Sequence, residues 1–286
     1  MNEGDWRFGA ILGVFFVVAT WETLRPFRKP TVSTSRRWTG NLILYFTSSW
    51  LAALILPFQH GRRRDGGESS PYGVLNHPWL PTWAAWIITV FALDFVRFSQ
   101  HWLLHRVPIL WRMHKVHHSD LDYDLTTGLR FHPLEALLTL STQCAVVALL
   151  APPPLAVLAG ELLFIVQVHL VHGNIAFPDA LDRSVRWLLV TPNLHAIHHT
   201  TDIADQNTNF GGLFTLWDRL CRTLRFRSGA ERAAAPMGLE GYQGERGARM
   251  STLFLLPFRS EDGGNYESTS RNRPAASSQP RPPRGS

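Results

Sequence analysis

Long apolar runs separated by short charged segments organise this chain. Residues 38–59, 69–93 and 136–160 contain no Asp, Glu, Lys or Arg, while charge crowds into 25–37, 62–68 and 219–286. Helices that are apolar all round for several turns are expected in lipid rather than on a water-soluble core. A span needs about 20 such residues. Residues 8–24 predict a short first membrane helix, 39–58 a second and 79–105 a third. Trp79, Trp83 and Trp86 open the third, as expected of aromatic side chains at a lipid–water boundary. Pro108 ends it.

Residues 134–172 are apolar again but interrupted by Ala151-Pro152-Pro153-Pro154. A proline triplet cannot sustain helical hydrogen bonds, so this stretch predicts a helical hairpin whose two ends emerge on one side. The expected fold class is all-α, multi-pass, with about four or five membrane helices including the hairpin. Segment 60–78, rich in Gly, Arg, Ser and Pro, predicts a loop, and the chain beyond about Ser260 predicts a disordered tail. Three regions follow: membrane anchor helices over 1–78, a catalytic domain over 79–258, and the tail over 259–286.

Charge refines the picture. The chain has a formal net charge of +6, which by itself suits nucleic acid or anionic lipid. Arg25, Arg28, Lys29, Arg36 and Arg37 follow the first apolar run, a placement that favours the positive-inside bias of a membrane protein and no nucleic-acid partner. With that loop cytoplasmic, the third helix and the hairpin both end on the cytoplasmic side; Arg62, Arg63 and Arg64 are the exception. Residues 8–21 lack a small-residue cleavage pattern and predict a retained anchor. Cys144 and Cys221 are far apart and offer neither a disulfide framework nor a zinc knuckle.

Candidate chemistry lies in the histidines. Eleven of the 13 fall between positions 101 and 199. His101 and His105 are four apart, on one helix face. His114, His117 and His118 read H-x-x-H-H, and so do His195, His198 and His199; His169 and His172 are three apart near the end of the hairpin. One HxxxH pair is as readily explained by packing. Three imidazoles on one face are costly to bury without a shared partner, whereas a metal ion keeps them neutral and uses their lone pairs. Ten imidazoles exceed the needs of one tetrahedral zinc, so two ions are expected. Nitrogen ligation suits iron, copper, nickel or zinc, and spacing alone does not choose among them. A site beside apolar helices favours oxygen activation against a lipid C–H bond over hydrolysis.

The stretch Asp94–Ser119 (DFVRFSQHWLLHRVPILWRMHKVHHS), with Arg130-Phe-His-Pro-Leu-Glu135, His172-Gly-Asn174 and Thr191-Pro-Asn-Leu-His-Ala-Ile-His-His199, resembles the fatty acid hydroxylase/sterol desaturase superfamily. The likeness continues through Asn209-Phe-Gly-Gly212, Leu216-Trp-Asp218, Gly238-Leu-Glu240 and Leu255-Leu-Pro-Phe258, covering about residues 83–258. The resemblance implies a membrane-embedded helical fold with a cytosol-facing dimetal centre, two iron ions per chain, that uses O2 and externally supplied electrons to hydroxylate or desaturate a lipid. By motif it assigns His101, His105, His114, His117, His118, His169, His172, His195, His198 and His199 as metal ligands. His132, beside a proline, reads as structural. Where the family usually has glycine, this chain has Arg222, which puts the local loop geometry in doubt.

Asp94, Glu135, Asn174, Asn193 and Asp218 are candidate acceptors for the outer N–H groups of ligand histidines, each equally explicable as a cap or ion-pair partner. With no flavin or dinucleotide fingerprint and no cytochrome-like domain, the expected electron donor is a separate partner, a reductase with a cytochrome or ferredoxin. Two other classes stand beside the oxygenase: a membrane metal-binding or transport protein, and an inactive scaffold related to such oxygenases.

Overall fold

The computed structural model describes residues 3–55, 74–244 and 247–259. Most of the predicted 60–78 loop and nearly all of the predicted 259–286 tail lie outside the described residues. Among the described residues the chain is helical, with three isolated β-bridges as its only strand-like pairings.

Five long helices organise the chain: α1 (Glu3–Leu24), α2 (Thr34–Ile55), α3 (Thr82–Arg106), then, after the short α4 (Pro108–His118), α5 (Pro133–Leu150) and α6 (Pro154–His172). Four stretches, Gly4–Leu24, Thr82–Arg106, Pro133–Leu150 and Pro154–His172, are long and apolar enough to cross a bilayer. Their outward side chains, such as Phe16, Val17, Trp83 and Leu149, are largely exposed, as lipid-facing groups would be. The α3–α4 break is local chemistry. Pro108 lacks an N–H and forces Val107 into extended backbone (φ −101°, ψ 115°), so the chain turns between His105 and His114. The hairpin turn falls at Ala151, in left-handed backbone (φ 41°), followed by the prolines.

α2 begins at Thr34, ahead of the expected start, and so takes Arg36 and Arg37 into its first turn. Arg37 is 2% exposed yet satisfied: it donates to Asp120 at 2.7 and 2.9 Å and to Asp124 at 2.7 Å. Burial raises Asp120, but Arg37 and Arg130 outweigh it and hold the carboxyl below its usual range. Arg130 in turn donates to Val116 O, Ser119 Oγ, Asn41 Oδ1 and Gly247 O. These bonds pin the start of α2 to the end of α4, where His117 and His118 lie. On the same side, Glu22 at the end of α1 accepts from Leu125 N and Asn174 N. The ends of α1, α3 and α6 and the starts of α2 and α5 therefore gather on one side of the bundle.

The two helices of the hairpin are splayed. α2 packs on α5, α1 packs on α6, and α3 touches both. Between them lies a cavity of about 480 Å³ with mostly apolar walls. Below it the chain folds into short helices, α7 (Asp179–Val185) and α8 (Pro192–His198) first among them.

Candidate metal centre

Nine of the ten predicted imidazoles meet in two groups. His101, His105, His114, His118 and His198 form one, and His117, His172, His195 and His199 the other, with the ligand atoms of each group within 4.8 Å of one another. Each HxxHH motif is divided. The outer residues, four apart, stay together (His114 with His118, His195 with His199), while the middle residue crosses to the other group (His117 and His198). A three-residue step rotates a side chain to one flank of the i,i+4 row, and that flank faces the second group.

α8 is short and needs its cap. Thr191 Oγ1 accepts from Leu194 N at 3.3 Å and donates to Asp182 Oδ1, and Pro192 occupies the first helical position. This seats His195, His198 and His199 against α3, α4 and the end of α6.

The ring nitrogens show how the imidazoles are aimed. Nδ1–H of His101 donates to Phe210 O (2.9 Å), of His198 to Thr208 O (2.8 Å), and of His172 to Val168 O (2.6 Å). A carbonyl only accepts, so each Nε2 is left as a lone pair. Yet His198 Nε2 lies 2.9 Å from His101 Nε2, and His172 Nε2 lies 3.1 Å from His195 Nε2 and 3.3 Å from His117 Nε2. In the His101–His198 pair both facing nitrogens are lone pairs, which repel unless a cation sits between them. Two nitrogens each about 2.1 Å from one ion, at right angles or slightly wider, would stand about 3.0–3.4 Å apart. Nε2 of His105, His114, His118 and His199 is buried with no partner among the described residues. The donor set fits two transition-metal ions.

Outside the membrane spans, burial and then neighbouring imidazoles push His117, His118, His195, His198 and His199 well below the ordinary histidine range. All five are therefore neutral near pH 7, the form that ligates a metal.

His169 stands in neither group. Three residues before His172, its ring turns along α6 and Nδ1 donates to Ile165 O at 2.8 Å. His132 caps α5, its Nδ1 accepting from Leu134 N. Of the candidate outer acceptors, Glu135 takes His114 Nδ1–H at 2.7 Å. Asp94 accepts instead from Leu213 N, Phe214 N and Trp217 Nε1, and Asp218 from Phe210 N, Gly211 N and Thr223 Oγ1. Together they shape the loop whose Phe210 carbonyl orients His101. Gly211 is required there, because a Cβ would lie 2.8 Å from Phe214 O. Asn174 bonds the backbone of Arg28, and Asn193 bridges Phe177 O and Arg232. Arg222 adopts φ 58°, the left-handed conformation that glycine takes freely.

One wall of the cavity is formed by His101, His114, His117, His172 and His195. Sequence reasoning did not foresee two further lining residues, Arg97 and Gln100. A charged residue within a long apolar helix was the available signal for Arg97.

Residues 86–223 match the fatty acid hydroxylase family. The chain is 29% identical over 153 residues to alkylglycerol monooxygenase of Xenopus tropicalis, covering 53% of this chain and 33% of that protein. It is 29% identical over 171 residues to an ornithine lipid hydroxylase of Rhizobium tropici (58% and 50%), and 30% identical over 153 residues to cholesterol 25-hydroxylase of Rattus norvegicus (52% and 49%). The matches thus span from a third to half of the length of these relatives. No solved structure matches the chain.

Proposed function

Because residues 86–223 match the fatty acid hydroxylase family, we propose that this chain is a membrane-bound, non-heme di-iron oxygenase that hydroxylates or desaturates a lipid. The observation that carries the proposal is the pair of imidazole groups forming one wall of a mostly apolar cavity between membrane helices. The five-histidine and four-histidine groups would each hold one iron ion. When bound, the ions supply activation of O2, with electrons from a separate reductase and its cytochrome or ferredoxin.

The chain's own residues do the rest. Backbone carbonyls of Thr208, Phe210 and Val168, with the Glu135 carboxylate, fix the tautomer and ring direction of His198, His101, His172 and His114, so the Nε2 of each of these four is a lone pair before a metal arrives. The apolar walls exclude water and hold an aliphatic segment against the histidines. No side chain is needed as a nucleophile. The similar proteins are named for ether-lipid, ornithine-lipid and sterol substrates, which supports a lipid here without choosing one. The side on which α1, α3 and α6 end is proposed to face the cytoplasm, following the basic loop after α1.

The test is the purified full chain loaded with iron and supplied with an artificial reductant and O2. Two irons per chain, oxygen uptake, and a product one oxygen heavier or two hydrogens lighter in a lipid extract are expected. A chain that binds metal without consuming oxygen would point to the metal-binding or transport class, and one that binds no transition metal to an inactive scaffold.

A further inference from the structure

Among the described residues, Arg97 is a buried cation without a hydrogen-bond acceptor. It lies on α3 four residues before His101, lines the cavity and is 9% exposed. Its guanidinium stacks 4.1 Å from the centre of the Phe164 ring, and its buried Nε donates to nothing. The two acids that act on it through space are already engaged. Asp94 accepts from Leu213, Phe214 and Trp217, and Glu161 accepts from Arg7. One turn along, Gln100 also lines the cavity. Its Nε2 donates to Thr139 Oγ1 at 2.9 Å, and its buried Oε1 has no partner. An unmatched donor and an unmatched acceptor thus lie three residues apart on one helix face, at the wall of a cavity. Buried polar groups are normally paired, and each exception calls for a partner that binds there.

Resting on the lipid-oxygenase reading, we infer that Arg97 and Gln100 together bind a neutral substrate group that both accepts and donates a hydrogen bond, a hydroxyl or an amide, and so choose which carbon faces the histidines. Neutrality follows from charge. Asp94 acts on Arg97 through space, Glu161 pairs with Arg7, and the buried Glu135 side chain already lines the same cavity, so a substrate carboxylate or phosphate would add a further buried anion. A hydroxyl oxygen accepts from Arg97 while its proton goes to Gln100; an amide offers C=O and N–H for the same two atoms. Four helical residues rise about 6 Å, so a chain held at Arg97 presents carbons near its polar end, not its tail, at the level of His101.

Binding of radiolabelled 1-hexadecanol, N-methylpalmitamide, palmitate and hexadecane to the iron-loaded full chain in detergent, against protein-free micelles, tests this. The alcohol or the amide is expected to bind roughly tenfold tighter than hexadecane and palmitate, and whichever leads identifies the group. Arg97→Met and Gln100→Leu should each erase that margin, leave hexadecane binding unchanged and shift oxidation away from the polar end; Arg97→Lys should restore part of it. Should Arg97→Met fail to fold, Gln100→Leu, which removes only a neutral group, decides alone. Equal binding of all four probes, tightest binding of palmitate, or an unchanged margin in Gln100→Leu overturns the inference while lipid oxidation persists. A chain that holds iron but binds and oxidises no amphiphile overturns the oxygenase reading itself.

Discussion

Replacing Glu135 by alanine isolates the contribution of a single outer contact to one of the two histidine groups. Glu135 is 2% exposed in the first turn of α5, and its Oε1 takes the Nδ1–H of His114 at 2.7 Å. Alanine leaves that N–H buried without an acceptor and frees the His114 ring to rotate. A hydrogen bond to a charged group contributes about 1.5–3 kcal/mol. Loss of an outer partner of a metal-bound histidine typically lowers metal affinity about 10–100-fold, or about 1.4–2.7 kcal/mol. The two figures agree, so Glu135→Ala should weaken one ion by that factor. Among the described residues Glu135 hydrogen-bonds no member of the other group, His117, His172, His195 and His199, so that group should keep its ion. Titrating iron-loaded protein with a chelator and counting retained metal by mass spectrometry reads both sites at once. One ion should leave at 10–100-fold lower chelator activity with the second unmoved, and Glu135→Gln, which keeps an acceptor oxygen but not the charge, should fall between. Retention of both ions at wild-type chelator levels, or their loss together, would refute the reasoning.

Three other outcomes are expected. His117→Ala and His198→Ala should each lose the ion of a different group, because the two residues belong to different groups although both sit within an HxxHH motif; spectra identical in the two variants would contradict that division. Metal-free protein should destabilise as pH falls below about 6.5. His117, His118, His195, His198 and His199 have depressed folded-state pKa values, so the unfolded chain binds more protons there, and each group removes up to about 1.4 kcal/mol per pH unit. Thermal melts at pH 7.5 and 5.5 should therefore diverge, and a flat profile would count against neutral burial. Arg222→Gly should raise the unfolding midpoint by relieving a left-handed residue, an effect on the order of 1 kcal/mol; an unchanged or lower midpoint would show that the Arg222 side chain compensates for its backbone.

Much of the architecture is local in origin and so legible in the chain. The four candidate spans, the Pro108 break and the proline-triplet turn each depend on a contiguous run of residues, and they lie close to the predicted bounds, whereas the helix expected to span over 39–58 is not among those apolar enough to cross a bilayer. Where α2 begins was different, because Arg37 can enter an apolar helix only when Asp120 and Asp124, more than 80 residues away, are waiting for it. His169 shows the same limit at the site. Its spacing from His172 matches a ligand pair, but whether a histidine joins a group depends on what the other helices place opposite it.

Residue order alone placed imidazoles at helical spacing and in a number too large for one tetrahedral ion, since helix periodicity and ligand count need no third dimension. It did not contain the partition into five and four, the splitting of both HxxHH motifs, or the roles of Asp94 and Asp218 in shaping the 210–217 loop. Those were decided only by packing. Residues that share a centre here come from α3, α4, α6 and α8, and a carbonyl or carboxylate becomes a histidine's partner only once the tertiary fold brings the two within hydrogen-bond reach.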